Sequence, residues 1–157
     1  MAYTRVHASG MDAISELNMK TAKASVDIPE GKLVGLDANG KFVLATQTAG
    51  SVVRATSVIQ EGSEALVGEA GNLNPDRPLR AGRASDIEFH FILDVDPLTF
   101  SQAEVIARTP IYLGVDGAWT KTVPTGTGVL KQKIGFVLTR STIYVDLTQD
   151  PQGTILA

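Results

Sequence analysis

A short phrase occurs twice in this chain of 157 residues, and it constrains the fold more than any other feature of the sequence. "LVGLDANGKFVLA" (residues 33–45) returns as "YLGVDGAWTKTV" (residues 112–123). In each copy, two apolar runs flank Asp and Gly residues, and the first turn also holds an Asn; these residue types suit the positive φ of a tight reversal. Each copy therefore predicts a β-hairpin.

A second predicted hairpin follows each copy of the phrase. After the first copy, "SVVRATSVI" (residues 51–59) and "EALVGE" (residues 64–69) flank "QEGS", with Gly62 in the turn. After the second copy, "KQKIGFVL" (residues 131–138) and "TIYVDL" (residues 142–147) flank "TRS". Apolar runs separated by a few turn residues are typical of hairpins.

Two hairpin pairs, residues 32–69 and 111–148, thus indicate a pseudo-duplicated body. Since an isolated hairpin is marginally stable in water, the two pairs are expected to face each other and bury their apolar sides. Gly35, Gly114 and Gly135 lie within strands, where glycine marks bulges or sharp bends. We therefore expect a mostly β protein, a compact β-barrel or β-sandwich built from two pseudo-repeated hairpin pairs, with one or two short helices.

The predicted helices are short. "MDAISELNM" (residues 11–19) has a weak helical pattern that Asp12 can cap. In "FSQAEVIA", Ser101 and Glu104 match a capping box, and Pro110 helps to end that helix before the next strand. These patterns divide the chain into an N-terminal arm (residues 1–27), a β-rich domain (residues 28–148) and a C-terminal tail (residues 149–157).

Composition narrows the class of protein. The net charge of −3 gives no electrostatic reason to expect nucleic-acid binding, and the chain has no cysteine, which excludes disulfides and thiolate chemistry. No stretch approaches the roughly 20 apolar residues of a membrane span, and the first residues lack the apolar core of a signal peptide. We therefore expect synthesis in a cytoplasm, with no nucleic-acid or membrane partner.

Residues that carry chemistry form no recognisable catalytic set. His90 lies on a strand in which apolar and mostly polar residues alternate, and it shares a face with Glu88 and Asp94, but a third metal ligand is not identifiable. Asp94 and Asp96 in "LDVDP" are better explained as a strand entering a turn. The sequence has no nucleophile elbow and no phosphate loop. We expect no enzyme activity, catalytic residue, metal or cofactor.

Binding residues are predicted at three places. In the arm, a few aromatic and apolar side chains would order against a partner, or the arm would pack on its own domain. Loop arginines would pair with carboxylates of a neighbour or remain solvated. The single tryptophan would be an interface anchor if exposed and a core residue if buried. The candidate residues are Tyr3, Arg5, Val6, His7, Arg77, Arg80, Arg83 and Trp119.

The phrases "GKLVGLDANGKFVLA" (residues 31–45) and "PIYLGVDGAWTKTVPTGTGVLKQKIGFVLTRSTIYVDL" (residues 110–147) resemble capsid decoration, or cement, proteins of tailed bacteriophages. The likeness covers residues 28–148. It implies a structural virion protein that binds the outer surface of the head and stabilises it by bridging subunits of the major capsid protein. It also implies a homo-oligomer, with a trimer favoured, and carries over no particular contact residue.

Two other classes remain open. A receptor- or glycan-binding β module of a phage fibre or spike would use surface aromatics and loops as a shallow ligand site. A carrier domain of the lipoyl or biotinyl type is also a duplicated small β structure. Such a carrier needs an exposed lysine at a hairpin tip between small residues or methionines, whereas Lys32 and Lys41 only flank a turn.

Overall fold

The computed structural model describes residues 21–29, 31–59, 84–86 and 89–157, and this part of the chain is mostly β. One short helix, α1 (Gln102–Ile106), lies between strands in the second half. The strands are β1 (Thr21–Lys23), β2 (Leu33–Leu36), β3 (Phe42–Leu44), β4 (Ser57–Val58), β5 (Ala84–Asp86), β6 (His90–Asp94), β7 (Pro110–Leu113), β8 (Trp119–Thr120), β9 (Leu130–Lys131), β10 (Lys133–Thr139), β11 (Thr142–Asp146) and β12 (Thr154–Ile155).

The repeated phrase folds twice in the same way. In the first copy, β2 lies between β3 and β4, and both neighbours are antiparallel to it. In the second copy, β7 lies between β8 and β10, again with antiparallel neighbours. The three hairpins predicted within the described residues, β2–β3, β7–β8 and β10–β11, are confirmed. The segment predicted to complete the fourth, residues 64–69, lies outside the described residues.

The sheets are open. In the larger one the strand order is β6-β11-β10-β7-β8, and the first copy forms a three-stranded sheet in the order β3-β2-β4. Two short pairs, β1–β5 and β12–β9, complete the sheets of the described ranges. No closed barrel occurs among these strands, so the sandwich is the form of the predicted β fold that the structure supports.

One main core joins the two copies. It contains large apolar side chains from both, and a smaller cluster around Phe42 lies under the first copy. Full burial of one such side chain contributes about 1.5–3 kcal/mol relative to an exposed position. The main cluster consists of Leu33, Ala45, Ala55, Val58, Phe100, Ile111, Leu113, Leu130, Ile134, Val137, Ile143, Val145 and Leu147.

The two repeated turns differ in their surroundings. In the first, the Asp37 carboxylate accepts hydrogen bonds from the backbone N–H groups of Asn39 (2.7 Å) and Lys41 (2.9 Å), and the turn is exposed at its tip. In the second, Asp116 and Gly117 have φ values of 50° and 75°, as a type I′ turn requires. The same local chemistry therefore makes one turn that faces solvent and one that is partly buried.

The second turn connects the two copies through backbone hydrogen bonds. The Gly117 N–H donates to the Ala45 carbonyl over 2.6 Å, and the Leu33 N–H donates to the Gly117 carbonyl over 2.9 Å. A Cβ at Gly117 would lie 2.9 Å from the Leu33 carbonyl oxygen, so glycine allows this approach. The turn of the second copy thus completes the backbone pairing of the first.

Of the three strand glycines predicted to mark bulges or bends, Gly114 and Gly135 lie at bulges, whereas Gly35 pairs with Val43 without a register shift. The register of β10 against β7 shifts between Lys133 and Gly135. The N–H of Gly114 donates to the Ala118 carbonyl, and the Ala118 N–H donates to the Val115 carbonyl, so two residues oppose one at the end of β7. A Cβ at Gly135 would overlap the backbone carbonyl oxygen of the neighbouring strand β11.

The C-terminal segment packs on the body. Strand β12 pairs with β9, and the side chain of Asp150 accepts hydrogen bonds from the N–H groups of Lys133 (2.9 Å) and Gly153 (3.0 Å). The Arg54 guanidinium donates to the Gln152 carbonyl over 2.6 Å. Residues 149–157, which the repeat does not include, are therefore joined to both copies.

Candidate interaction surface

One row of apolar and aromatic side chains crosses the outer face of the five-stranded sheet. The strand register places Ile92 beside Tyr144, Tyr144 beside Phe136, and Phe136 beside Pro110. Directly paired residues project from the same face of a sheet, and neighbours along a strand project from the opposite face. The neighbouring residues on β10 and β11, such as Val137 and Ile143, are buried in the main core. We call Ile92, Tyr144, Phe136 and Pro110 the outer row.

The aromatic pair at the centre of the row is held by ring contacts. The ring centroids of Phe136 and Tyr144 are 5.3 Å apart, with an angle of 34° between the ring planes. The guanidinium carbon of Arg108 lies 5.4 Å from the centroid of Phe136, within the range of a cation–π contact. Ile92 is 55% exposed, and the other three residues of the row are partly exposed.

Helix α1 positions Arg108 for this contact. Its first turn has a complete capping box, in which the Glu104 N–H donates to the Ser101 hydroxyl (3.2 Å) and the Ser101 N–H donates to the Glu104 carboxylate (2.7 Å). The predicted capping box is thus confirmed. The helix ends at Ile106 with Ala107 as its C-cap, and Arg108 has a φ of 50°, a conformation that usually costs a non-glycine residue about 1–2 kcal/mol.

The residue types of this surface are common at protein interfaces. Tyr, Phe and Arg are enriched at protein interfaces, because flat rings and a planar guanidinium give large contact areas at low entropic cost. The outer row and the adjacent Arg108 therefore combine apolar, aromatic and guanidinium groups of the kinds that contact other molecules.

Trp119, a predicted binding residue, is partly buried at a different place. Its ring packs against the main core, and its centroid lies 5.6 Å from that of the buried Phe100, with an angle of 45° between the planes. The ammonium of Lys121 lies 5.6 Å from the Phe100 centroid and 2.7 Å from the Glu104 carboxylate. Trp119 therefore contributes to packing, and the Lys121–Glu104 ion pair lies next to the ring of Phe100.

The Glu104 carboxylate makes the stability of the protein depend on pH in the acid range. The hydrogen bond from Lys121, with a further one from the Ser101 backbone, lowers the pKa of Glu104 from 4.5 to about 2. Because the folded-state pKa lies below the ordinary value, the charged Glu104 stabilises the folded state. This stabilisation is present above pH 4.5 and is lost as the pH falls to about 2.

We expect Glu104→Gln to reduce this loss of stability on acidification. Glutamine keeps the capping geometry but has no charge for Lys121. Urea denaturation above pH 4.5 and near pH 2 should show that the stability difference between the wild type and the variant shrinks at low pH. An equal difference at both pH values would contradict the role of the ion pair.

His90 contacts a different carboxylate from those that the sequence suggested. Its Nδ1 lies 3.6 Å from Oδ1 of Asp146, the residue opposite on β11, while Asp94 is paired with Thr142. The Thr148 hydroxyl donates to Asp146 over 2.6 Å, and this bond is the main cause that lowers the pKa of Asp146. Within the described ranges, no group of three or more His, Cys, Asp or Glu residues is arranged to hold a metal ion.

The remaining predicted binding residues lie outside the described residues; they are Tyr3, Arg5, Val6, His7, Arg77, Arg80 and Arg83. None of the predicted binding residues belongs to the outer row. The sequence contains one signal for the row, because Phe136 and Tyr144 each precede a valine in the same predicted hairpin. Both valines are buried in the structure, and neighbours along a strand lie on opposite faces, so the two aromatic residues share the outer face. Only the pairing register, however, shows that the two rings and Ile92 meet on one face.

The chain matches no family model, no curated protein and no solved structure. Among the described residues, no helix is long and apolar enough to cross a membrane.

Proposed function

We propose that this protein is a structural virion protein that binds the outer surface of a tailed-phage capsid through the outer row. The observation that carries the proposal is the row itself, in which two aromatic rings and an exposed isoleucine lie together on one face of a sheet, with the Arg108 guanidinium beside them. The resemblance of residues 31–45 and 110–147 to capsid decoration proteins supports the choice of partner. The partner is then the major capsid protein.

The rest of the described structure suits such a role. A protein that bridges capsid subunits needs a rigid body, and here the two copies share one core and are connected by the Gly117 turn. The polar side chains with the most hydrogen bonds, such as Gln132 and Asp150, are used to hold the chain together. Many weak contacts by linked copies can together exceed the affinity of one contact by about 10²–10⁴. A trimer remains the prediction of the resemblance.

Replacing the aromatic centre of the row should weaken binding to heads. We expect the double variant Phe136→Ser, Tyr144→Ser to occupy purified heads that lack the protein at least about tenfold less well, because aromatic interface anchors often contribute about 2 kcal/mol or more. Cosedimentation with the heads, followed by gel densitometry, measures the occupancy. Thermal unfolding of the free variant shows whether the fold is retained.

Val123→Ser is the matched control, since Val123 is exposed and lies outside the outer row. The control should bind as the wild type does. If the folded double variant saturates heads at the wild-type concentration, the outer row is not the capsid-binding surface. If the wild-type protein does not bind heads at all, the capsid proposal itself is wrong.

A glycan- or receptor-binding module is the second candidate, and the same surface favours it. Phe136 and Tyr144 are partly exposed aromatic residues next to the Arg108 guanidinium, and sugar rings bind to such aromatic side chains while their hydroxyls accept hydrogen bonds from a guanidinium. Binding of the wild type, but not of the double variant, to a glycan array would support this function over the capsid proposal.

A further inference from the structure

Strand β6 is a regular edge of the five-stranded sheet. Within the described part of the chain its strand partner is β11, and five consecutive residue pairs join the two strands without a register shift. The Val95 N–H donates to the Ser141 carbonyl, and the Leu147 N–H donates to the Phe89 carbonyl, each over 2.9 Å. β6 has no Lys, Pro or bulge, which are common devices that protect edges from pairing.

The backbone of β6 therefore has a defined outward side. In an antiparallel pair, hydrogen-bonded residues alternate with residues whose N–H and C=O groups point the other way. Because Phe89 and Val95 bond to the β11 side, the backbone groups of His90, Ile92 and Asp94 point away from β11. Among the described residues, these groups have no strand partner.

We infer that β6 pairs with β6 of a second copy of this chain, in an antiparallel arrangement centred on Ile92. A two-fold axis at Ile92 places Ile92 opposite Ile92 of the second copy. It also places His90 opposite Asp94 of the second copy, and Asp94 opposite His90. The outward backbone groups of all three residues then bond across the axis, as in strand addition to a sheet edge.

The side chains of β6 fit this register by polarity and by hydrogen bonding. All three residues are exposed, and the imidazole of His90 opposite the Asp94 carboxylate is a donor opposite an acceptor, a cross-strand pair that the symmetry produces twice. Ile92 is 55% exposed, and its pairing with itself would cover it. A shift of this register by two residues would bring Asp94 opposite Ile92, or His90 opposite Ile92, and lose these matches.

The pairing would also lengthen the outer row. Ile92 is the end of the row, beside Tyr144, and on the two-fold axis it would contact the Ile92 of the second copy. Two rows would then form one continuous apolar band across two joined sheets. This self-association does not depend on the proposed function, since it concerns the free protein.

A charge-pairing experiment tests the register. We expect sedimentation velocity of the wild type over a wide concentration range to show a reversible dimer, in place of the trimer that the resemblance implies. Ile92→Lys and Ile92→Glu should each weaken self-association by about tenfold or more, because each places like charges opposite one another. An equimolar mixture of the two variants should again form dimers, because the introduced ammonium of one variant then faces the introduced carboxylate of the other.

Controls and a second measurement make the test decisive. The same two substitutions at Ile106, which is 74% exposed on helix α1, should leave dimerisation unchanged. Amide exchange should slow with protein concentration at Ile92 while the Phe91 amide, on the β11 side, is protected at every concentration. A wild type that remains monomeric, an oligomer insensitive to substitution of Ile92, or a mixture that does not recover dimers would each overturn the inference.

Discussion

Replacement of Gly135 by alanine is expected to destabilise the protein by about 3 kcal/mol or more. A Cβ at this position would overlap the carbonyl oxygen of Tyr144 and would lie 2.9 Å from its carbonyl carbon. These atoms are backbone of the paired strand β11, so relief requires a shift of the strands rather than of a flexible side chain. Urea denaturation of the purified variant measures the change in the free energy of unfolding.

Gly40→Ala provides the matched control. At Gly40 an added Cβ would meet nothing within 4 Å, and the cost comes from a φ of 71° alone, about 1–2 kcal/mol. Gly135 does not have a positive φ. If the two variants lose equal stability, the close approach of β10 and β11 does not explain the glycine at position 135.

The second large effect is expected at Gln132, which is fully buried between the two copies and the C-terminal segment. Its Oε1 accepts a hydrogen bond from the Ala55 N–H (2.8 Å), and its Nε2 donates to the carbonyls of Ala55 (3.0 Å) and Asp150 (3.1 Å). Gln132→Met keeps the approximate size but leaves these backbone groups without partners. Since an unsatisfied buried group costs about 1–3 kcal/mol, we expect a loss of about 3 kcal/mol.

The same substitution at Gln47 tests this explanation. The Oε1 atom of Gln47 is buried and has no hydrogen-bond partner among the residues that the structure describes, so Gln47→Met removes an unsatisfied polar atom. We expect its urea midpoint to equal or exceed that of the wild type. Equal losses of stability for the two methionine variants would mean that the shape of the side chain, and not the hydrogen bonds of the Gln132 side-chain amide, determines the loss.

The local parts of the fold could be predicted from the sequence because their signals are local. The Asp116-Gly117 turn and the Ser101–Glu104 capping box need only a few neighbouring residues to form. The alternation around His90 likewise predicts a half-buried strand, and β6 alternates between exposed and partly buried residues.

The candidate surface could not be predicted in the same way. Ile92, Phe136 and Tyr144 come from three strands, and their meeting depends on pairing register, which no short sequence pattern specifies. The same holds for Gln132, whose partner Ala55 is 77 residues away. Trp119 stands out in the sequence because tryptophan is rare, but rarity does not distinguish a packed ring from an exposed one.

The hydrogen bonds between Leu33, Gly117 and Ala45 bear on how the chain folds during synthesis. During synthesis, the Leu33 N–H and the Ala45 carbonyl leave the ribosome before Gly117, their hydrogen-bond partner, has been made. Contacts so distant in sequence form slowly, because a long loop must close before they contribute. The two copies should therefore acquire their final structure together, once the second copy has been synthesised, as a single cooperative event.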